Sequence, residues 1–499
     1  MPRRPTKRSR TEHVPPFGAT SDLENAVFQV NEPSYRTLPL TVLPSLVTLC
    51  DQRFVSCFKK LRENSSLWEN RISHQLQLLP DSVLPKLFAL LKKSHPGYLP
   101  HEIIVTYFMR GSNLSLSSDS LPGANKGTIM AIPRLNPQVC DLDISGFNKI
   151  ADDAFAKVIA ELHSLRSLNL IFRKCTKVGS KTITAIVKSC PRIRSLNLSE
   201  TSVSPAAMAE LLVAHGNQLE VLKIAGLERW TDATFMAQLH SQVKDQEVSM
   251  PKLQTLKLRG LQLSDSSIDF LVSLSPNLRR LDISFTATKR PILFTSRKDI
   301  FGACAHLSAP RLEKLSLTST PVAVSDLLQT ISPLSNLRTL SLGALGATGS
   351  MGVASATTLN DVTLPKLTSA LQSFSNLRSV NLVSNTRLSK TALFDFIQRV
   401  AMRSEALAAL LPLDGTHPAL ETLILNNTSV GDDSGAYIAC CCNLVRLEVE
   451  GTKFTSDGLF FIIDACPKLQ TLNLTSCRGV KIADRRRFFE VDSFPSFYQ

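Results

Sequence analysis

One pattern, an apolar residue, two variable residues and then apolar-x-apolar, recurs twelve times between Val139 and Leu474. It opens with Val139/Leu142/Ile144, Leu165/Leu168/Leu170 and Ile193/Leu196/Leu198, and closes with Leu444/Leu447/Val449 and Leu469/Leu472/Leu474. Successive starts lie 26, 28, 26, 34, 25, 34, 25, 40, 43, 24 and 25 residues apart. The longer spacings read as surface insertions into a unit of constant size. Alternation over so short a span predicts one brief strand per unit, with alternate side chains turned into a common core. Between strands, Ser180–Ser189 (Ile183, Ile186, Val187) and Ser456–Ala465 carry apolar residues at helical spacing and predict returning helices. A fixed period of this length describes a stack of similar units, each burying its apolar face against the next.

Three places after the last apolar strand position stand Thr201, Thr286, Thr320, Asn385, Thr428, Thr452 and Cys477. A small polar side chain at that corner can bond backbone groups that the turning chain leaves unpaired. Cys190, Cys441 and Cys466 close inter-strand segments, with Pro191 and Pro467 following two of them. Over 139–477 these units, with Gly451-Thr-Lys-Phe-Thr-Ser-Asp-Gly458, resemble the cysteine-containing leucine-rich repeats of ribonuclease-inhibitor-like proteins. The resemblance implies an α/β solenoid of about twelve repeats, with parallel strands on the concave face and helices on the convex face. The repeat cysteines then read as small buried hydrophobes. Among the insertions, Thr286–Pro310 carries Lys289, Arg290, Arg297 and Lys298. Gly343–Thr358 reads as a loop, and Met402–His417 as a helix extension. Residues 478–499, with Arg485, read as a cap on the last repeat and a tail.

The first 138 residues follow another pattern. Residues 1–35 read as a disordered basic tail, in which Arg3, Arg4, Lys7, Arg8 and Arg10 form a candidate nuclear-import signal. Residues 36–110 read as a helical module. Val42, Leu46, Leu49, Cys50, Phe54, Cys57, Phe58 and Leu61 mark one helix face, and Val83, Leu84, Leu87, Phe88, Leu90 and Leu91 a second. The Ser/Gly-rich stretch 111–138 reads as a linker. Within the first stripe, Ser45-Leu46-Val-Thr-Leu-Cys50-Asp-Gln-Arg-Phe54 resembles a BC box, the elongin-C-binding helix of cullin–RING receptor proteins. Leu46, Cys50 and Phe54 match its positions and would dock the adaptor, with Leu79-Pro80 as counterpart of the Leu-Pro that often follows.

A competing resemblance is to an F-box, with Leu38-Pro39 opening it, Cys57–Leu61 as its third helix and Ser66-Leu67-Trp68 closing it. Both resemblances imply a non-catalytic substrate receptor of a cullin–RING ubiquitin ligase. Its partners would be an elongin C or Skp-type adaptor, a cullin and a protein substrate. The alternative is a nuclear leucine-rich-repeat scaffold that binds protein or nucleic acid without a ubiquitin role.

Composition narrows this picture. With 499 residues and 43% hydrophobic content the chain has ample core, which excludes wholesale disorder. No apolar run approaches the roughly 18–20 residues that span a bilayer, so a nuclear or cytoplasmic protein without membrane attachment is expected. Eleven cysteines, an odd number with no C-x-x-C pair, point to reduced thiols and no metal site. No phosphate loop or recurrent Ser/His/Asp motif appears, so neither catalysis nor a cofactor is expected. The net charge of +14 divides equally about residue 139. Within the repeats it gathers on the middle strands as Lys223, Lys257, Arg259, Arg280 and Lys314, with Asp282 the one acid among them. That stripe is a candidate substrate-binding surface for an acidic or phosphorylated segment. Nucleic acid is the less favoured ligand.

Overall fold

The repeats stack into one continuous sheet. The computed structural model describes residues 35–37, 45–171, 178–227, 230–243, 248–291, 297–298, 304–305, 311–346, 358–401 and 420–489. Thirteen three-residue strands, from Asn113–Ser115 to Thr471–Asn473, pair in parallel and in chain order. Their middle residues form one unbroken buried column, including Leu114, Leu142, Leu168, Leu196, Leu222, Leu256 and Leu281, each directly opposite the next. Burying a leucine stabilises by about 1.5–3 kcal/mol, so this column and its flanks carry much of the solenoid. Helices such as Asp152–Ala160, Ser180–Ser189, Pro205–His215 and Ser456–Ala465 return the chain on the other side. The two helices expected from periodicity fall at Ser180–Ser189 and Ser456–Ala465. The architecture is an α/β leucine-rich-repeat solenoid preceded by a helical module.

Eleven of the thirteen parallel strands leave the sheet by one device. Two residues past the last inward strand position the backbone turns left-handed, at Gly146, Gly226, Gly260 and Gly451, and equally at Glu200, Phe285, Ser319, Ala344, Ser384, Asn427 and Ser476. The amide there donates to the neighbouring repeat, as from Glu200 to the Ala225 carbonyl (2.8 Å) and from Phe285 to that of Thr318 (2.8 Å). The ladder so gains a rung beyond the strands. The next residue is the expected corner. Thr201, Thr286 and Thr320 donate their hydroxyls to the carbonyls of Leu198, Ile283 and Leu317 at 2.7 Å, and Thr428 and Thr452 repeat the bond at 2.6 Å. Asn385 donates to both Leu382 and Leu342. Thr320→Val keeps the shape and removes one such bond in a fully buried corner, so it is expected to cost about 1 kcal/mol in denaturant unfolding.

Two sequence boundaries need correction. The expected linker 111–138 holds the strand Asn113–Ser115, paired with Asp141–Asp143, and the helix Lys126–Leu135. It is a further repeat, hidden from the pattern because Gly111 stands where the first apolar residue would be. The expected boundary at residue 35 is crossed by a strand, Tyr35–Thr37, which pairs antiparallel with Thr471–Asn473. It supplies backbone partners to a terminal strand whose outer edge would otherwise be unpaired. The five basic residues of the candidate import signal and the Met402–His417 extension lie outside the described residues. At the far end the helix Ile482–Phe489 follows the last strand. Its Arg485 donates to the carbonyls of Cys477 and Val480, pairing backbone acceptors beyond the last strand.

The repeat thiols are buried as expected. Cys190 faces the carbonyls of Ile159 and Leu162, and Cys466 those of Ile438 and Cys441. Burial pushes the thiols of Cys190 and Cys441 up to about 12 and that of Cys466 up to about 11. Unfolded thiols ionise near 9.0, so the stability these groups contribute is complete below that pH. It is lost as pH rises through 9 toward the folded values, and unfolding midpoints should fall over this alkaline window. Near neutral pH a maleimide should label exposed Cys50, Cys440 and Cys442 and spare Cys190, Cys441 and Cys466, as read by peptide mass mapping.

Candidate functional site

The first helix, α1 (Leu46–Glu63), begins at Ser45, whose hydroxyl oxygen accepts the Thr48 amide at 3.3 Å. It ends in a turn bearing Lys60 and Arg62, which suit the negative end of the helix dipole. One face is fixed. Asp51, Val55 and Phe58 are buried, and Phe58 meets Trp68 edge-on with ring centroids 5.9 Å apart. Trp68 in turn meets Tyr107 edge-on at 5.8 Å, while the Arg62 guanidinium lies 4.5 Å from its ring. Phe88, from the helix Leu84–Ser94, stacks on Phe108 at 4.6 Å.

The opening turns lie open to solvent. Leu46 is 76% exposed, Val47 49% and Leu49 47%, and Cys50 is exposed as well. Of the three residues expected to dock an adaptor, Leu46 and Cys50 are therefore presented outward. Phe54 is half-buried, with its ring 5.8 Å from that of Phe58. The single stripe expected from sequence is divided by the structure. Leu46, Leu49 and Cys50 face outward, and the true core face runs through Asp51, Val55 and Phe58. Sequence spacing placed Phe58 on this face but missed Asp51 and Val55, because an aspartate interrupts the apolar rhythm. Val47 also went unnoticed, lying off the stripe.

Of the competing arrangement, the opening Leu38-Pro39 lies outside the described residues. Leu46–Glu63 is unbroken, so Cys57–Leu61 starts no separate helix, and Leu67 and Trp68 lie in the helical stretch that follows. The helix after Leu79-Pro80 starts at Leu84, with the Val83 and Leu84 amides bonded to the Pro80 carbonyl.

The module is built onto the solenoid. Lys92 donates to the Ser115 carbonyl (2.9 Å) and hydroxyl (3.1 Å), and that hydroxyl reaches the Asp143 carboxylate (3.2 Å). Burial holds the Lys92 ammonium below the usual lysine range, against the opposing pull of Asp143. A cation in this position ties the module to the first two strands.

The second expected site lies on the strands themselves. Register places Lys223 directly opposite Lys257 and Arg280 directly opposite Lys314. Arg259 follows its strand by two residues, and its guanidinium lies 4.7 Å from the centroid of the Phe285 ring. Lys223, Lys257, Arg259 and Lys314 are half-buried and Arg280 is exposed. All five expected residues are thus brought together on four successive strands. Phe285 was not recognised from sequence. The signal was an aromatic residue at a position that other repeats fill with glycine, serine, alanine, asparagine or glutamate.

Just before the strands a second row is self-neutralising. Arg194–Glu220 (3.3 Å), Arg279–Glu313 (2.5 Å) and Arg378–Glu421 (2.9 Å) each join neighbouring repeats. Among the described residues no helix is long and apolar enough to cross a membrane, and no three His, Cys, Asp or Glu side chains gather as a metal site.

No family model matches the chain. Among solved structures, the yeast Rad7–Elc1 complex aligns over 83% of this chain and 95% of that one, at 19% identity and a TM-score of 0.42. An internalin from Listeria monocytogenes aligns over 69% and 88%, at 15% identity and a TM-score of 0.36. A leucine-rich-repeat protein from Leptospira interrogans aligns over 74% and 97%, at 16% identity and a TM-score of 0.29.

Proposed function

We propose that this chain is a non-catalytic substrate receptor of a cullin–RING ubiquitin ligase. On this reading α1 docks an elongin-C-type adaptor and the concave sheet holds a protein substrate. One observation carries it: the opening turns of α1 expose Leu46, Val47, Leu49 and Cys50 while Val55 and Phe58 lock the same helix into the module. A rigid amphipathic helix with a bare apolar face suits an apolar groove, because little ordering entropy is lost when it docks. The Ser-Leu-x-x-x-Cys-x-x-x-Phe spacing of Ser45–Phe54 favours the elongin-type groove, and the unbroken helix disfavours the Skp-type one. The buried Cys190, Cys441 and Cys466 support placing the repeats in the cysteine-containing class.

Arg3, Arg4, Lys7, Arg8 and Arg10 would address the protein to the nucleus. Neutralising all five should shift a fluorescent fusion toward the cytoplasm. Affinity purification of the tagged chain from its host cells tests the whole reading. Elongin C and a cullin are expected among the co-purifying proteins at near-stoichiometric yield. Their absence, with the chain recovered folded, would remove the ligase assignment.

A further inference from the structure

We infer that Tyr35–Thr37 is a clasp. By pairing with the last strand it holds the helical module to the far end of the solenoid and closes the array into a ring, and it releases without unfolding either part. Chain length carries this, whatever α1 or the concave sheet binds. The thirteen parallel strands, set about 4.8 Å apart, run for roughly 58 Å from Asn113–Ser115 to Thr471–Asn473. The module sits at the first end, where the helix Leu84–Ser94 lies against Asn113–Ser115 and Lys92 donates to the Ser115 carbonyl. Thr37 sits at the other end, directly opposite Thr471. Only seven residues, Leu38–Pro44, separate Thr37 from Ser45, the cap of α1. A stretch of that length reaches about 29 Å at most, half the run of the sheet. The array therefore bends until its last strand comes within reach of the module. The bend has its own cause. Packed helices stand about 8–10 Å apart, roughly twice the spacing of strands, so helices layered outside strands force a curve at every repeat.

The joint itself is narrow. Along each strand the backbone groups alternate in direction. The Thr471 amide donates back to the Val445 carbonyl at 3.0 Å, as the Ser195 amide does to Arg166 two-thirds of the sheet away. The outer residues of Thr471–Asn473 thus bond the preceding strand, and Leu472 turns its amide and carbonyl outward. In every earlier repeat such outward groups meet the next strand. After the last they meet Arg36, which register sets directly opposite Leu472. Arg36 and Leu472 form the hydrogen-bonded pair, while Tyr35 and Thr37 turn their amides away from the sheet. Among the described residues this is the one antiparallel pairing in the fourteen-stranded sheet, the mark of a segment added to the array from outside the repeat series. The terminal helix Ile482–Phe489 lies beside it.

A pairing of three residues stands against an array whose strands share an unbroken buried column. It is the joint that opens first, below the global transition, as weakly held edges do. With the clasp closed, the concave face is entered along the axis of the ring by a slender segment. With it open, a folded partner can enter from the side.

The test uses the full chain in three forms: unchanged, Arg36→Pro and Thr37→Pro. Proline at 36 removes the amide that faces Leu472. Proline at 37 removes one that faces away, a place where an edge strand tolerates it. The readouts are amide exchange resolved to Leu472, small-angle X-ray scattering and light scattering. Arg36→Pro is expected to speed exchange of the Leu472 amide by about tenfold or more and to raise the radius of gyration. Thr37→Pro should change neither. Exchange at Leu168, Leu196 and Leu256 should stay as it was in both variants, which separates release from unfolding. Unchanged exchange at Leu472 would overturn the pairing, and an equal effect of Thr37→Pro would overturn Arg36 as the joint. Faster exchange with an unchanged radius of gyration would overturn the closure. Protection lost at Leu168, Leu196 and Leu256 would overturn release without unfolding. A dimer of the unchanged chain that Arg36→Pro converts to monomer would overturn the inference in favour of strand exchange between two copies.

Discussion

Leu46→Asp with Leu49→Asp is expected to weaken adaptor binding by about a hundredfold or more, while stability changes by no more than about 0.5 kcal/mol. The two halves of this expectation have separate causes. Both side chains are exposed in the free protein, so their replacement leaves no cavity and buries no charge. Leu46 is the first residue of α1 after the Ser45 cap, where an added carboxylate meets the positive end of the helix dipole and is mildly favourable. In the complex the same carboxylates would be forced into an apolar groove without partners, a cost of several kcal/mol. Titration calorimetry against elongin C, beside a thermal melt of each variant, separates the two effects. Undiminished binding would mean that the adaptor docks elsewhere.

Trp68→Ala should destabilise the helical module by about 3–5 kcal/mol. The indole is nearly buried and joins the elements of the module, meeting Phe58 from α1, Tyr107 from the last module helix and the guanidinium of Arg62. Its loss leaves a void that α1 and the segment bearing Tyr107 would have to close at once. Repeat arrays open in parts, so a single midpoint understates the effect, and amide hydrogen exchange is the better measure. Protection is expected to fall over 46–108, while the strands from Ser195 to Asn473 keep theirs. Adaptor affinity should fall too, because α1 loses the support that holds its bare face in place. Unchanged exchange over 46–108 would contradict this account of the module core.

What the sequence discloses and what it hides differ in physical kind. The strand column was legible because every repeat must bury the same side chains, and the corner threonines because every repeat must turn. Those demands recur with the period, so twelve imperfect copies announce them. The thirteenth copy escaped because Gly111 replaces a single apolar residue, and one substitution defeats a local pattern while the backbone still pairs. The split of α1 into a buried and a bare face was not legible. Which of Leu49, Asp51 or Phe54 is covered depends on Trp68, Phe88 and Tyr107 arriving from distant positions. Lys92 was equally silent, since only the fold brings it to Ser115. The basic stripe lies between these cases. Its members could be named by counting along repeats, but their pairing across strands and the stacking of Arg259 on Phe285 required register and backbone angles.

The most direct test of the central claim is to mix the purified full chain with purified elongin C and measure co-elution by size-exclusion chromatography with light scattering. One adaptor is expected to bind per chain, and the complex should be absent when Leu46 and Leu49 are replaced by aspartate. Independent elution of the two proteins at concentrations well above those in the cell would contradict the assignment of α1 as an adaptor-docking helix.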